Sequence, residues 1–305
     1  MIIRRYSVFS SSIAIAVSIV LLWTLWVGAS EIFPHRGNGS DWLQRGAIAV
    51  QSGDYPQAIE DFTRAIDIDP TLAAAYSDRC LVYIYRGEYP QALADCTQAI
   101  ELDPGNREAY LNRGLVRYRT GRYPEAIADT ERVLQLNPGD ARAYYNRGLS
   151  RYELRDYRGA IDDYDRAIAP ESPLEGTQQA QIYIDRGLAY LGIDSPPEAL
   201  ANFDRAIALD TENARAYYNR ACTHHRLGDL DRAVEDLTQV LRLDPSSAQA
   251  RANRGFIYYQ LGNRPAALQD LHLAARHFAE TGRGEASSQL RDVLEQMGRS
   301  RLALG

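Results

Sequence analysis

The feature that most constrains the fold of this chain is an arginine that recurs at a fixed interval of 34 residues. The interval is interrupted once, by a step of 39 residues, and the arginines are Arg45, Arg79, Arg113, Arg147, Arg186, Arg220 and Arg254. A short motif surrounds each of them and is clearest between Ala143 and Leu149, where it reads AYYNRGL. A repeat of this length indicates an array of stacked units, each of which contacts only its neighbours.

Each unit is predicted to contain two antiparallel helices. In the unit of residues 107–140, Tyr110, Gly114 and Tyr118 recur at helical spacing until Gly121 interrupts the pattern. Pro124 then begins a second amphipathic stretch. Proline suits the first turn of a helix because the N–H that it lacks is not needed there. The second helix is predicted to end before Pro138, since the residue preceding a proline is displaced from the helical region.

This pattern resembles the tetratricopeptide repeat family. The resemblance rests on an aromatic and a small residue in the first helix, an alanine in the second helix and a terminal proline. The aromatic residues are Trp42, Tyr76, Tyr110, Tyr144, Tyr183 and Tyr217, and the small residues are Gly46, Cys80, Gly114, Gly148, Gly187, Ala221 and Gly255. The alanines are Ala58, Ala92, Ala126, Ala160, Ala199, Ala233 and Ala267. The resemblance implies an all-α, right-handed α-solenoid of seven helix-turn-helix repeats over residues 39–281, whose first helices form a concave wall.

One position departs from the family pattern. The usual leucine of the first helix is the recurrent arginine, and we predict that it pairs with an acid of a second helix, within or between units. The candidate acids are Asp61, Asp95, Asp129, Asp163, Asp236 and Asp270, with Asn202 as the exception.

The array is irregular at its fourth junction and at its C-terminal end. Residues 169–179 contain two prolines and a glycine, so the second helix of the fourth unit is expected to stop early. This segment is either a hinge between four and three units or a tolerated surface loop. Residues 282–305 are expected to form a capping helix and tail, because such arrays require a polar-backed end.

The N-terminal residues 1–30 are predicted to be a membrane anchor or a signal peptide. An apolar run follows Arg4 and Arg5 and is long enough to span a bilayer as one helix. The arginines would remain cytoplasmic, which places the array on the periplasmic or extracellular side. The alternative is a secreted protein, cleaved near Ala29. Residues 31–38 are interpreted as a short tether.

Composition argues against several functions. The net charge of −6 argues against a nucleic-acid partner, which needs a basic surface. All 34 basic residues are arginine, so lysine chemistry is excluded. The sequence contains no motif typical of a metal centre, a phosphate loop or a hydrolase, and we expect a non-enzymatic protein without cofactor or metal.

The three cysteines do not form a metal-binding pattern. Cys80 and Cys96 fall on the two helices of one predicted unit, whereas Cys222 lies in another. If the protein is exported, the first two are able to form a disulfide, but buried free thiols are an equal alternative.

A partner-binding groove is predicted along the first helices, on the face opposite the glycine and tyrosine stripe. This face is rich in apolar and aromatic residues, which favours a groove for a polypeptide, although packing between neighbouring first helices would explain the same residues. The predicted groove residues are Leu111, Asn112, Leu115, Tyr118, Tyr145, Asn146, Leu149, Tyr152, Ile184, Asp185, Tyr218, Asn219, Asn253, Phe256 and Tyr259.

A polar ladder runs beside this apolar stripe. It consists of Asp78, Asn112, Asn146, Asp185, Asn219 and Asn253. Some members of the family carry a similar asparagine ladder, and amides suit the backbone of an extended peptide because they donate and accept hydrogen bonds. Hydrogen bonding within the array is the alternative. A chaperone carboxylate clamp is rejected, because Leu43 and Ala47 occupy its positions and the chain has no lysine.

These observations predict a membrane-tethered adaptor that holds a partner protein or peptide in its concave groove, in envelope or membrane-complex assembly. The alternative is a structural scaffold that associates with itself.

Overall fold

The computed structural model of the protein describes residues 38–169 and 172–302, with side chains as far as Met297. The predicted anchor or signal peptide and the tether before Asn38 lie outside the described residues. Among the described helices, none combines the length and the apolar character needed to cross a bilayer.

The described residues form fifteen helices and no strand, which confirms the predicted all-α fold. The helices alternate as first and second members of seven hairpins, and α15 follows the last hairpin. They are α1 (Gly39–Gln51), α2 (Tyr55–Ile68), α3 (Ala73–Arg86), α4 (Tyr89–Leu102), α5 (Arg107–Arg119), α6 (Tyr123–Leu136), α7 (Ala141–Glu153), α8 (Tyr157–Ala167), α9 (Thr177–Gly192), α10 (Pro196–Leu209), α11 (Ala214–Leu227), α12 (Leu230–Leu243), α13 (Ala248–Gln260), α14 (Arg264–Glu280) and α15 (Gly284–Leu302).

The helix boundaries follow from local capping. The Asp54 side chain precedes α2 and accepts a hydrogen bond from the backbone N–H of Gln57, and Pro56 occupies the first turn. The hairpin turn after α3 is closed by Gly87, whose φ of 74° lies in the left-handed region that glycine adopts without strain. Parts of this combination recur along the array: proline occupies the first turn of α4, α6, α10 and α14, and glycine with positive φ follows α5, α11 and α13.

Within a hairpin, the small residue of the first helix accommodates the large residue of the second. A Cβ atom added to Gly148 would lie 2.6 Å from Cε1 of Tyr164, and one added to Gly187 would lie 2.6 Å from Cε1 of Phe203. Both rings are fully buried. The aromatic ring therefore fills the space left by the glycine of its own unit.

The recurrent arginine ties three helices together, as Arg220 illustrates. Its Nη2 lies 2.6 Å from Oδ1 of Asp236 on the second helix of the same unit, and its Nη1 lies 2.6 Å from Oδ1 of Asp204 on the preceding unit. The guanidinium also lies over the ring of Tyr217, 5.6 Å from its centroid. Arg79, Arg147, Arg186 and Arg254 likewise contact the second helix of the preceding unit, at Thr63, Glu131, Asp165 and Thr238, so these arginines fix the stacking of hairpins as well as the hairpin itself.

Equivalent pairs confirm the predicted arginine–aspartate contact in the other units. They join Arg45 to Asp61, Arg79 to Asp95, Arg113 to Asp129, Arg147 to Asp163 and Arg254 to Asp270, while Arg186 donates to the Asn202 carbonyl.

Side-chain and backbone contacts join the fourth and fifth units. Helix α8 ends at Ala167, and the following segment buries Leu174. The Ser172 hydroxyl donates to the carbonyl of Ala167 at 2.7 Å, and Arg186 reaches back to Asp165 as its equivalents do elsewhere. The added residues thus leave the stacking contact of the arginine intact, which favours the loop interpretation over a hinge.

The second unit differs from the others because a disulfide joins its two helices. Cys80 replaces the glycine of α3, Cys96 replaces the aromatic residue of α4, and their Cα atoms lie 5.5 Å apart. Both side chains are fully buried. The bond occupies the space that corresponds to the one filled by the Phe62 ring opposite Gly46 in the first unit.

Helix α15 covers the C-terminal end of the array. Leu290, Leu294 and Met297 are buried in one cluster with Leu271 and Phe278 of α14. The opposite face of α15 is exposed and polar, as expected for a cap.

Candidate partner-binding groove

The first helices form the inner wall of the array. Each of α1, α3, α5, α7 and α9 contacts the first helix of the next unit as well as its own hairpin partner. Successive second helices in the described residues lie too far apart for a comparable interface. Because neighbouring units approach each other more closely along their first helices, the array curves towards that side. The groove residues predicted from the sequence all belong to these first helices.

Three of those residues lie inside the array and not on its surface. Leu111 and Tyr145 are each 5% exposed, and Ile184 is fully buried. All three occupy the same position of the repeat, where first helices of neighbouring units meet. Here the packing alternative applies, and these side chains do not line a groove.

The remaining predicted residues border the inner wall to different degrees. Phe256 and Tyr259 are exposed, near the C-terminal end of the array. Asn112 and Asp185 are buried polar residues. The half-buried residues are Leu115, Tyr118, Asn146, Leu149, Tyr152, Tyr218, Asn219 and Asn253. The accessible surface therefore combines these half-buried leucines and tyrosines with the polar ladder.

In the fifth unit, the ladder is satisfied by the protein itself. Asp185 accepts hydrogen bonds from Tyr145 at 2.8 Å and from Gln181 at 2.9 Å, and it forms an ion pair with Arg215 at 2.8 Å. Burial raises the pKa of Tyr145 far above its ordinary value, and Asp185 raises it further, so the phenol stays protonated and donates. These contacts join the fourth, fifth and sixth units.

In the seventh unit, the ladder is also satisfied internally. The Asn253 amide donates to the Tyr218 hydroxyl at 2.9 Å and accepts from Gln249 at 3.1 Å. In the sixth unit, Nδ2 of Asn219 is sealed from solvent and has no hydrogen-bond partner in the described part of the chain. The C-terminal half of the ladder is therefore either occupied or inaccessible.

In the second, third and fourth units, the ladder is open. Within the described ranges, no side-chain or backbone group donates to or accepts from the side chains of Asp78, Asn112 or Asn146. Asn112 as a residue is only 9% exposed, but neither atom of its amide is sealed from solvent, so the amide remains accessible without a protein partner. This stretch is where the inner wall has hydrogen-bonding capacity to offer.

Asp78 has an unfavourable electrostatic environment. Burial raises its pKa to about 6, and the negative charge of Glu108 contributes to the shift. Glu108 itself is held by Arg142 of the next unit, whose Nη2 lies 2.6 Å from Oε1. The Asp78 carboxylate thus lies beside an acid that is already paired.

The described residues contain no group of three or more histidine, cysteine, aspartate or glutamate side chains placed to hold a metal ion. Cys222 is a free, exposed cysteine on the inner wall.

Sequence reasoning identified the ladder but not which of its positions are open. That distinction depends on contacts made by Gln181, Arg215 and Glu108, which share one position of the repeat. This position is an acid at Glu108, an amide at Gln181 and an arginine at Arg215. That variation in the sequence was the available signal for which ladder positions are open.

Comparison with protein-family models places tetratricopeptide repeat models on residues 41–72, 78–141, 121–174, 197–228 and 214–247. Together these segments cover more than half of the chain. The chain belongs to the tetratricopeptide repeat family. Repeats of this family form protein-interaction scaffolds and are generally non-catalytic. A search of curated proteins finds no match.

Solved structures with the same fold share little sequence with this chain. The APC/C hetero-tetramer Cut9–Hcn1 matches with a TM-score of 0.65 and 18% identity over 73% of this chain, and this chain covers 43% of that one. PilW, a widely conserved type IV pilus biogenesis factor, matches with a TM-score of 0.64 and 20% identity, covering 72% and 98% of the two chains. YrrB, described as having an unusual peptide-binding site, matches with a TM-score of 0.51 and 23% identity, covering 65% and 97%. At these identities the likeness establishes the fold alone.

Proposed function

We propose that this protein is a non-catalytic adaptor that binds an extended segment of a partner polypeptide along the inner wall of its second to fourth units. The observation that carries the proposal is the open part of the polar ladder. Asn112 and Asn146 present amides without protein partners, and each can both donate to and accept from a peptide backbone.

The surroundings of these amides support a polypeptide ligand. Leu115 and Leu149 lie three residues further along the same helices and are half-buried, so each is available for partial contact with a side chain. An extended chain exposes its backbone groups and turns alternate side chains to one face, and this wall pairs an amide with a leucine in the third and fourth units.

The proposal includes a tether to a membrane, with the array outside the cytoplasm. The support is the apolar run after Arg4 and Arg5 in the sequence. A disulfide between Cys80 and Cys96 agrees with an oxidising compartment. PilW, which shares the fold, is a pilus biogenesis factor, and assembly of an envelope or membrane complex is the role we propose here.

Site-specific photocrosslinking in the native host tests the groove. A photoreactive residue is placed at Asn146 on the inner wall, and the matched control carries it at Gln135, which is exposed on the second helix α6. We expect an adduct with another polypeptide from position 146 and none from position 135. The adduct is identified by mass spectrometry, and it should diminish when Asn112 is also replaced by alanine.

Two results would count against the groove. Equal adducts from both positions would mean that the inner wall is not selective. An adduct at position 146 that contains only this chain would favour the self-associating scaffold instead.

A further inference from the structure

The ladder contains two aspartates in equivalent positions of the repeat, and their surroundings differ. Asp185 receives three donors: the Tyr145 hydroxyl from the preceding unit, the Gln181 amide from its own helix and the Arg215 guanidinium from the following unit. The arginine neutralises its charge. Asp185 therefore shows which contacts an acid at this place in the wall requires.

The corresponding three positions around Asp78 contain no donor. The repeat places Leu43 where Tyr145 stands, Ala74 where Gln181 stands and Glu108 where Arg215 stands. The cation that neutralises Asp185 is thus replaced by an anion, and Glu108 acts on Asp78 electrostatically. Within the part of the chain that the structure describes, Asp78 has no hydrogen bond and no ion pair.

A second, independent observation concerns α5, the first helix of the next unit. Asn112 occupies the following position of the ladder, is more than nine-tenths buried, and has no hydrogen-bond partner in residues 38–169 or 172–297. Neither atom of the Asn112 amide is sealed from solvent, so both are within reach of a ligand, and a partly buried carboxylate without a counter-ion costs free energy. Two neighbouring units thus leave polar groups without protein partners on the same wall, next to each other along the ladder.

We propose that Asp78 is the specificity-determining residue of the groove and that it receives the side chain of a lysine or arginine from the partner segment. This inference rests on the proposed function of the same wall. The partner's cation takes the place that Arg215 takes beside Asp185. Asn112 then binds the backbone of the partner next to that basic residue.

Charge complementarity favours a cation over a neutral donor. Arg142 compensates the charge of Glu108 and is held by it, with Oε1 and Oε2 of Glu108 at 2.6 Å and 3.0 Å. Within the described residues, no cation pairs with Asp78. A single cationic side chain would neutralise its charge, and because Asp78 is partly buried the contact is stronger than one on an open surface.

The test selects peptides from a random displayed library on the full-length protein in detergent. Peptides of about twelve residues are long enough, because they span about 40 Å when extended. Selection is run in parallel on the wild type, on Asp78→Asn and on Asp185→Asn. Asp185→Asn is a matched control. It also removes one ladder carboxylate, but one that already has hydrogen-bond and ion-pair partners within the protein.

We expect peptides from the wild type to share a lysine or arginine at one register. The best peptide should bind Asp78→Asn about tenfold or more weakly, and replacing its basic residue by glutamine should cause a similar loss. In Asp78→Asn the basic residue should no longer matter. Selection on Asp185→Asn should return the same basic position as the wild type.

The outcomes separate this inference from the function on which it rests. If peptides are enriched and depend on Asn112 and Asn146 but carry no basic residue, the groove stands and the role of Asp78 is refuted. If the basic residue is enriched equally on Asp78→Asn, its receptor lies elsewhere and the inference is also refuted. If no peptide is enriched on the wild type, both the groove and the role of Asp78 are rejected.

Discussion

Replacing Asp78 by asparagine is expected to stabilise the free protein near neutral pH. The carboxylate is partly buried, lies beside Glu108 and has no counter-ion in the described residues, so its charged form is disfavoured in the folded state. An asparagine of nearly the same shape removes that charge. The structural cost is small, because no hydrogen bond to Asp78 is lost.

The sign and size follow from the two protonation equilibria. The pKa of Asp78 is about 6 in the folded protein and 3.8 in the unfolded chain, so the folded state binds the proton more tightly. The unfavourable contribution is therefore fully present above about pH 6 and disappears as the pH falls below the unfolded value. The difference corresponds to about 3 kcal/mol at pH 7 and about 0.6 kcal/mol at pH 4.

Hydrogen exchange is the most informative assay, because a repeat array opens locally and not as a single body. Amides of α3 and α5, which carry Asp78 and Glu108, should exchange more slowly in Asp78→Asn than in the wild type at pH 7. Urea unfolding with the disulfide intact should show a higher midpoint. Both differences should shrink towards pH 4, where the wild-type carboxylate is protonated in the folded state and partly protonated in the unfolded state.

Asp185→Asn is the matched control and should behave in the opposite way. It removes the charge that binds Arg215 and weakens the hydrogen bonds from Tyr145 and Gln181. Leaving the partly buried Arg215 without its ionised partner costs about 1–3 kcal/mol. A destabilised Asp78→Asn, or a gain that is independent of pH, would refute the reasoning about the open position of the ladder.

Three further predictions concern the packing of the array and are read from urea midpoints. Arg220→Ala should cost about 3 kcal/mol, because Asp236 remains buried without its cation, and replacing both residues by leucine should recover most of the loss. Cys96→Ala should cost about 3 kcal/mol under non-reducing conditions, because the bond to Cys80 closes a loop of 16 residues, and reductant should lower the wild type to the same level but leave the variant unchanged. Gly148→Ala should cost about 1–3 kcal/mol because its Cβ meets a buried ring, whereas Gly114→Ala, whose nearest contact is 3.4 Å away, should be tolerated.

The repeat determined most of what the sequence could predict. Its period fixed the number of hairpins, and the arginine at the leucine position predicted the contact that Arg220 makes with Asp236. The direction in which the ring of Tyr164 points was not predicted, because sequence spacing places it on the correct helix without saying which neighbouring space is empty. Packing of that kind depends on the distance between helices, and the sequence does not contain that distance.

The groove shows the same limit more clearly. Helical geometry placed Leu111, Tyr145 and Ile184 on the face of the first helices that points inwards, but adjacent first helices approach closely enough to bury them. A face that is exposed on one hairpin becomes core when the next hairpin stacks on it. The repeat pattern alone therefore overestimates the apolar surface that the array leaves open.

The distribution of satisfied polar groups divides the inner wall into two parts with different roles. From the fifth unit onwards, Asp185 and Asn253 bond to neighbouring units and so add to the stability of the stack. In the second to fourth units, Asp78 and Asn112 contribute no such bond, and partial burial beside Glu108 disfavours the charged form of Asp78. The disulfide of the second unit joins the two helices of that same hairpin. It stabilises the hairpin from within, and it does not involve the wall of that unit, where we propose that the partner binds.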